Sequence, residues 1–220
     1  MAKLITTVAL LSISSVVGHE FGIGPILNDT NADEEAAPVF QMGTPTFFGS
    51  GCPANSLRVI TASDGQSVSV LFSEYIATTS SEKTRDRKSC NMAVPVDVQP
   101  GISMGIFRVD YRGYGYVPSA SRRSYARFSA EYYFAGMQGP KSQKTYRAGF
   151  DDDLFITNEI PVGSIVWSPC GASTNFRINS AITAAKRSRW DDDVEIAIDS
   201  VDTTVDQSQV FKYYFTFRRC

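Results

Sequence analysis

The side chains that could do chemistry in this chain are unevenly supplied. Its one histidine is His19, near the amino terminus. Ser-His-Asp and Cys-His machinery both need an imidazole to move the proton, and His19 lies at the expected signal cleavage site, so the strand-forming region from Gly49 onward has no such base. Carboxylates are plentiful and conspicuous as the runs Asp151-Asp152-Asp153 and Asp191-Asp192-Asp193. A glycosidase needs two acids about 5 to 9 Å apart in a cleft. Successive strand residues point to opposite faces, so each triplet is expected to be a solvated turn and not a matched acid and base. The same oxygens could gather calcium, but the spaced Asp-x-Asp-x-Asp-Gly pattern of a dedicated loop is absent. A carboxylate-dependent polysaccharide hydrolase and a calcium-dependent binding module therefore stand as alternatives. No catalytic residue, cofactor or metal ligand is assigned.

Aromatic residues offer a better binding argument. Tyr111, Tyr114 and Tyr116 are interleaved with Arg112, Gly113 and Gly115, and exposed rings there could stack on sugar faces. The competing account has some of these tyrosines filling the core while the glycines permit close strand approach. Trp167, close to Cys170, is expected to pack against a disulfide. The segments Arg122 to Arg127 and Lys141 to Arg147 mix bases with aromatics, a composition also found on strand-binding surfaces, although solvated strand faces explain it more simply.

The elements that must position these groups are strands. Period-two alternation marks Ser67 to Phe72, Val94 to Val98, Ala126 to Phe134, Phe176 to Thr183, Val194 to Ile198 and Phe211 to Phe217, each reading as a strand with one buried face. Ser63-Asp64-Gly65 supplies a turn after a strand near Leu57 to Ile60, predicting a hairpin. Ile102, Met104 and Ile106 share one parity, while Phe107, Val109 and Tyr111 share the other, so a bulge is expected near Ile106. No window carries an amphipathic helix of three turns. The expected fold is all-β, an antiparallel β-sandwich or jelly roll stabilised by disulfides, with one domain over residues 46–220.

At 220 residues and 43% hydrophobic content, the chain can bury a full core. Residues 1–18 read as a secretion signal, with Lys3, an apolar stretch from Leu4 to Ile13 and a small-residue site at Val16 to Gly18. Residues 19–45 carry five acids and no Lys or Arg, and are expected to form an acidic leader or flexible arm. Asn28-Asp29-Thr30 is a glycosylation acceptor for a eukaryotic secretory route. Without signal and leader, 20 basic residues face 18 acidic ones, too mild a balance to predict nucleic-acid or membrane binding. Cys52, Cys90, Cys170 and Cys220 are an even set in an oxidising route, so two disulfides are expected. Four cysteines allow three pairings; Cys52 with Cys90 and Cys170 with Cys220 is favoured, although spacing alone does not decide.

Five segments carry a resemblance to a known family. They are Gly49-Ser50-Gly51-Cys52-Pro53, Arg87 to Cys90 leading into Val94-Pro95-Val96, Asp110 to Tyr114, Val166 to Gly171, and Arg218-Arg219-Cys220. In this order, and with all four cysteines included, they resemble the secreted domain-of-unknown-function family 4360 over roughly Gly49 to Cys220. The family tends to place tryptophan where this chain has Phe217, so an aromatic is retained. The resemblance implies a small, secreted, cysteine-paired β protein found mainly in fungi, with no assigned activity and no catalytic residues to carry over. The expected role is non-enzymatic and extracellular, at the cell wall or at a host or microbial surface, as an effector or a carbohydrate binder. The expected partner is a cell-wall polysaccharide or a host surface component.

Overall fold

In the computed structural model, residues 40–61, 67–198 and 211–220 are described, with 61, 67, 68 and 211–213 described through their backbone alone. The expected signal, His19, Asn28 and the turn Ser63-Asp64-Gly65 lie outside the described residues. The described residues form thirteen strands: β1 (Phe40–Met42), β2 (Thr46–Phe48), β3 (Leu57–Thr61), β4 (Ser67–Phe72), β5 (Ile76–Thr78), β6 (Arg85–Val98), β7 (Ile102–Val117), β8 (Tyr125–Phe134), β9 (Lys141–Arg147), β10 (Phe150–Glu159), β11 (Thr174–Ala185), β12 (Glu195–Ile198) and β13 (Phe211–Arg219).

They form two antiparallel sheets. The six-stranded sheet runs β1-β6-β11-β8-β9, with β2 sharing the β6 edge used by β1. In the seven-stranded sheet, β7 is the hub. It receives β10 along one edge and, along the other, first β13 and then β12; β4 and β3 extend beyond β13, and β5 beyond β12. Alternation decides which face of each strand is buried. In β8, Ala126, Phe128, Ala130, Tyr132 and Phe134 are buried while Tyr125, Arg127, Ser129, Glu131 and Tyr133 stand half-exposed on the other side. The inward rings meet between the sheets: Tyr111 lies 4.4 Å from Phe128, and Phe176 meets Phe215 edge-on at 5.7 Å. The expected bulge is present: Tyr214 lies opposite Arg108 but Phe215 lies opposite Ile106. Phe107 is the additional residue, so Ile106 and Val109 both face the core.

Two expectations are corrected. The segment 19–45, read as an arm, contributes β1 at its end, because Phe40 finds Phe215 and Phe217 at 5.6 and 5.3 Å and is buried. Residues ahead of position 46 thus take part in the six-stranded sheet. Asp151-Asp152-Asp153 is no turn: it lies in β10, each residue paired opposite Tyr116, Gly115 and Tyr114 in turn. The edge of β7 supplies backbone partners that hold even a run of acids extended. Asp191-Asp192-Asp193 does lie in a loop, where buried Lys186 donates to the Asp191 carbonyl at 2.8 Å and to Asp193 Oδ1 at 2.7 Å.

The disulfides join Cys52 to Cys90 and Cys170 to Cys220, with Cα atoms 5.4 and 5.9 Å apart. The first ties the loop after β2 to the middle of β6. The second anchors the end of β13 beside Gly101, whose carbonyl accepts the Cys220 amide at 2.9 Å. Trp167 is half-buried near this end, with the Arg218 guanidinium 4.3 Å over its ring. Replacing Cys170 and Cys220 together by Ser opens a link spanning a separation of 50 residues. The loop-entropy relation puts the expected loss of unfolding free energy at about 4 kcal/mol, to be read by denaturant titration against the intact protein.

Candidate functional site

The three tyrosines singled out as binding residues do not share a surface. Tyr111 is buried, its phenol paired with that of Tyr132, so it is a core residue and not a stacking platform. Asn158 Nδ2 donates to the Tyr132 oxygen at 2.9 Å, and Ser142 donates to Asn158 Oδ1 at 2.5 Å, completing a chain of partners that keeps these polar groups satisfied. Tyr114 and Tyr116 face outward on the seven-stranded sheet. Gly113, between Tyr111 and Tyr114, permits the close approach of β12: a Cβ there would lie 2.1 Å from the Ala197 carbonyl oxygen.

Around the two outward tyrosines stand acids. Asp151 and Glu195 lie on opposite sides of Tyr116 in neighbouring strands, about 10 Å apart across two strand spacings. Tyr114 donates to Asp151 Oδ1 at 2.5 Å. Phe155 is 67% exposed, and the Arg112 guanidinium rests 5.4 Å from its centroid. Among the described residues, no three of His, Cys, Asp and Glu converge to hold a metal ion.

A concave surface lies on the other sheet. Register builds it from three rows that cross the strands. Ser89, Ala181, Ser129 and Gln143 form the floor on β6, β11, β8 and β9. Asn91, Asn179, Glu131 and Lys141 form one wall; the row on the other side is Arg87, Thr183, Arg127 and Thr145, of which Arg87 lines the hollow itself. Small floor residues between longer wall residues leave a trough of about 440 Å³. Asn91 and Asn179 also line a second hollow of about 480 Å³, which continues toward Phe48, Tyr133 and Arg177. Phe48 is 80% exposed. Asn179 Nδ2 donates to the Tyr133 phenol at 2.9 Å, and Asn91 Nδ2 donates to the Phe48 carbonyl at 3.3 Å, so both amides are held in place at the junction.

Five strands at about 4.8 Å spacing make this surface about 19 Å long from β2 to β9. It can receive an extended polymer with hydroxyls and amides along its length and aromatic rings at one end. Of its residues, sequence had marked Lys141 and Arg127 within base-rich segments, but Ser89, Asn91, Asn179 and Tyr133 carried no signal of their own. They are ordinary outward positions of alternating strands, and only the pairing of β6, β11, β8 and β9 sets them side by side.

Fold and surface together define a disulfide-braced β-sandwich with an open polar face. The chain belongs to the family described as a domain of unknown function (DUF4360), whose model matches residues 40–220. It is similar to an uncharacterized secreted protein of Arthroderma benhamiae, 29% identical over 168 residues, a match covering 74% of this chain and 66% of that protein. The chain thus spans just under two thirds of that relative. Two solved structures are also similar. One is TmCBM61 in complex with beta-1,4-galactotriose, with 10% identity, a TM-score of 0.29 and coverage of 80% of this chain and 88% of that one. The other comes from the carbohydrate-binding modules of the β-sandwich superfamily, with 14% identity, a TM-score of 0.24 and coverage of 76% and 57%. The functional reading below rests on this chain's own side chains.

The tyrosines also set a pH dependence. The hydrogen bond to Asp151, with smaller effects of burial and the carboxylate charge, pushes the Tyr114 phenol up to about 12. Burial pushes Tyr146 up to about 12, and desolvation raises Tyr75 and Tyr132 as well. These groups ionise more readily unfolded, at about 10. The stability they contribute is therefore complete below that value and is lost as pH rises through the folded values near 12. Asp151→Asn removes the charged acceptor. In an ultraviolet absorbance titration of the folded protein, one tyrosine is expected to ionise at lower pH than in the unsubstituted chain; an unchanged curve would count against the Tyr114–Asp151 bond.

Proposed function

We propose that this chain is a secreted, non-enzymatic protein that holds a polysaccharide in the trough across β6, β11, β8 and β9, at a cell wall or at a host or microbial surface. The observation that carries this reading is the continuity of the surface. A floor of small residues runs between rows of hydrogen-bonding groups and meets exposed Phe48 and half-exposed Tyr133 at one end. Sugar hydroxyls are both donors and acceptors. Asn91 and Asn179 amides and Ser89 and Ser129 hydroxyls present both functions along one line. Aromatic rings supply the apolar faces on which pyranose C–H groups pack. An open trough with these groups suits reversible retention along a chain better than enclosure of a small molecule.

Export is supported by the amino-terminal signal pattern, by two disulfides and by the secreted description of the Arthroderma benhamiae relative. The non-enzymatic part rests on the single histidine of the sequence and on a trough lined mainly by hydroxyls and amides, whose one acid, Glu131, is paired with Lys141.

Purified protein is expected to be retained by a soluble or insoluble wall polysaccharide in affinity electrophoresis or pull-down, without release of new reducing ends. Asn179→Ala and Tyr133→Ala should each weaken retention about fivefold, the size of one ordinary hydrogen bond or ring contact of about 1 kcal/mol. Tyr116→Ala, on the opposite sheet, should leave it unchanged. Loss of retention with Tyr116→Ala but not with Asn179→Ala would move the site to the other face.

A further inference from the structure

The outer face of the six-stranded sheet carries an excess of bases, whereas the other outer face mixes both signs. Outward positions on β6, β11, β8 and β9 carry Arg85, Arg87, Arg127, Lys141, Arg147 and Arg177 against two acids, Asp97 and Glu131. Outward positions on the seven-stranded sheet are mixed, five acids (Asp110, Asp151, Asp153, Glu159 and Glu195) standing among Arg58, Arg108, Arg112 and Arg218. The whole chain has a formal charge of −2. The basic face is therefore not a by-product of a basic protein.

The bases at the trough are also largely uncommitted. Glu131 is taken up by Lys141 at 3.6 Å. Arg87 and Arg177 have no carboxylate within ion-pair distance among the described residues. Arg127 is steered by Thr145, which its Nε reaches at 3.2 Å, and by the ring of Tyr125 at 4.8 Å, contacts that position the guanidinium without neutralising it. A solvated face built only for solubility intersperses both signs. Here two guanidiniums instead stand in one outward row, Arg87 lining the trough and Arg127 next to its Ser129 margin, in register with Thr183 between them and about 10 Å apart across two strand spacings. That distance is close to the repeat of two sugars in an extended chain. A guanidinium presents a planar fork of donors that fits a carboxylate with two parallel bonds and also serves sulfate or phosphate oxygens.

We infer that the trough is selective for an anionic polysaccharide, one bearing a carboxylate or an equivalent anionic group at regular intervals, with Arg87 and Arg127 as the residues that read the charge. This rests on the polysaccharide-binding reading above. Asn91, Asn179 and Tyr133 hold the sugar rings whatever their charge. The arginine row adds the discrimination, and Arg177 lies beside the aromatic end, where the chain continues.

The test compares polygalacturonate with the same polymer fully methyl-esterified, which keeps the backbone and removes the charge, using the intact protein and isothermal titration at low and at physiological salt. Polygalacturonate is expected to bind at least tenfold more tightly than the ester, with affinity falling as salt rises. Arg87→Gln with Arg127→Gln should abolish that preference while leaving weak binding to both polymers, and Arg87→Lys should retain part of it, since charge survives but the fork is lost. Tighter binding of a sulfated glucan than of polygalacturonate would assign the charge to sulfate and still support the inference. Equal, salt-independent binding of acid and ester would overturn the selectivity and leave polysaccharide binding standing. No binding of either polymer, or of an uncharged wall glucan, would remove both. A single-stranded oligonucleotide bound as tightly as polygalacturonate would show a general polyanion surface and overturn the assignment to polysaccharide. Near-ultraviolet circular dichroism of the double variant separates lost charge from lost fold.

Discussion

Phe176 of β11 meets Phe215 of β13 across the gap between the sheets, and Phe40 and Phe134 close around them. This contact, with Tyr111 against Phe128 further along, obliges every second residue of the long central strands to point inward. The interior is built largely of rings and aliphatic side chains, and polar groups at its centre are paired: the Tyr75 phenol donates to Ser180 at 3.0 Å, and Ser180 to the Cys90 carbonyl at 3.2 Å. Once inward positions are spent on cohesion, any recognition must be written on the outward ones. Those positions recur every second residue and line up from strand to strand, so the surface is organised in rows that cross the sheet.

The trough follows from that geometry. Where the outward row is small, as in Ser89, Ala181 and Ser129, the sheet surface is low; where it is long, as in Arg87 and Arg127, it rises. The disulfide between Cys52 and Cys90 holds β6 at the level of this floor, because Cys90 is the inward neighbour of Ser89. The bridge between Cys170 and Cys220 acts elsewhere, binding the chain end to the seven-stranded sheet through the Cys220 amide and the Gly101 carbonyl. The covalent links and the aromatic core thus give a rigid frame, while the outward rows of the two sheets are free to diverge in charge. One face became basic and grooved, the other mixed in charge with exposed Tyr116 and Phe155.

Legibility varied with how strongly local pattern and tertiary demand agreed. β8 was plain, since its alternation from Ala126 to Phe134 is unbroken, and the bulge near Ile106 could be read from a change of parity. β10 was not, because Asp151-Asp152-Asp153 has the local chemistry of a turn and is extended only because β7 offers it an edge. Tyr111 was misplaced for a related reason. Tyr111, Tyr114 and Tyr116 look alike in a row of residues, yet the strand sends Tyr111 to one side and the other two to the opposite side. Phe40 belonged to an acidic, irregular stretch, and its partners Phe215 and Phe217 are distant in sequence.

By itself, the sequence determined that the chain is built of strands, that its cysteines suit two bridges, and that His19 is its one histidine. These are properties of composition and short-range period, which act within a few residues. Only the tertiary structure decided which of the outward residues are neighbours. Ser89, Ala181 and Ser129 are far apart along the chain and meet because β6, β11 and β8 pair in one register. A shift of one residue would turn the same side chains into the core. The candidate site is thus a consequence of strand order and register, which depend on contacts between distant segments.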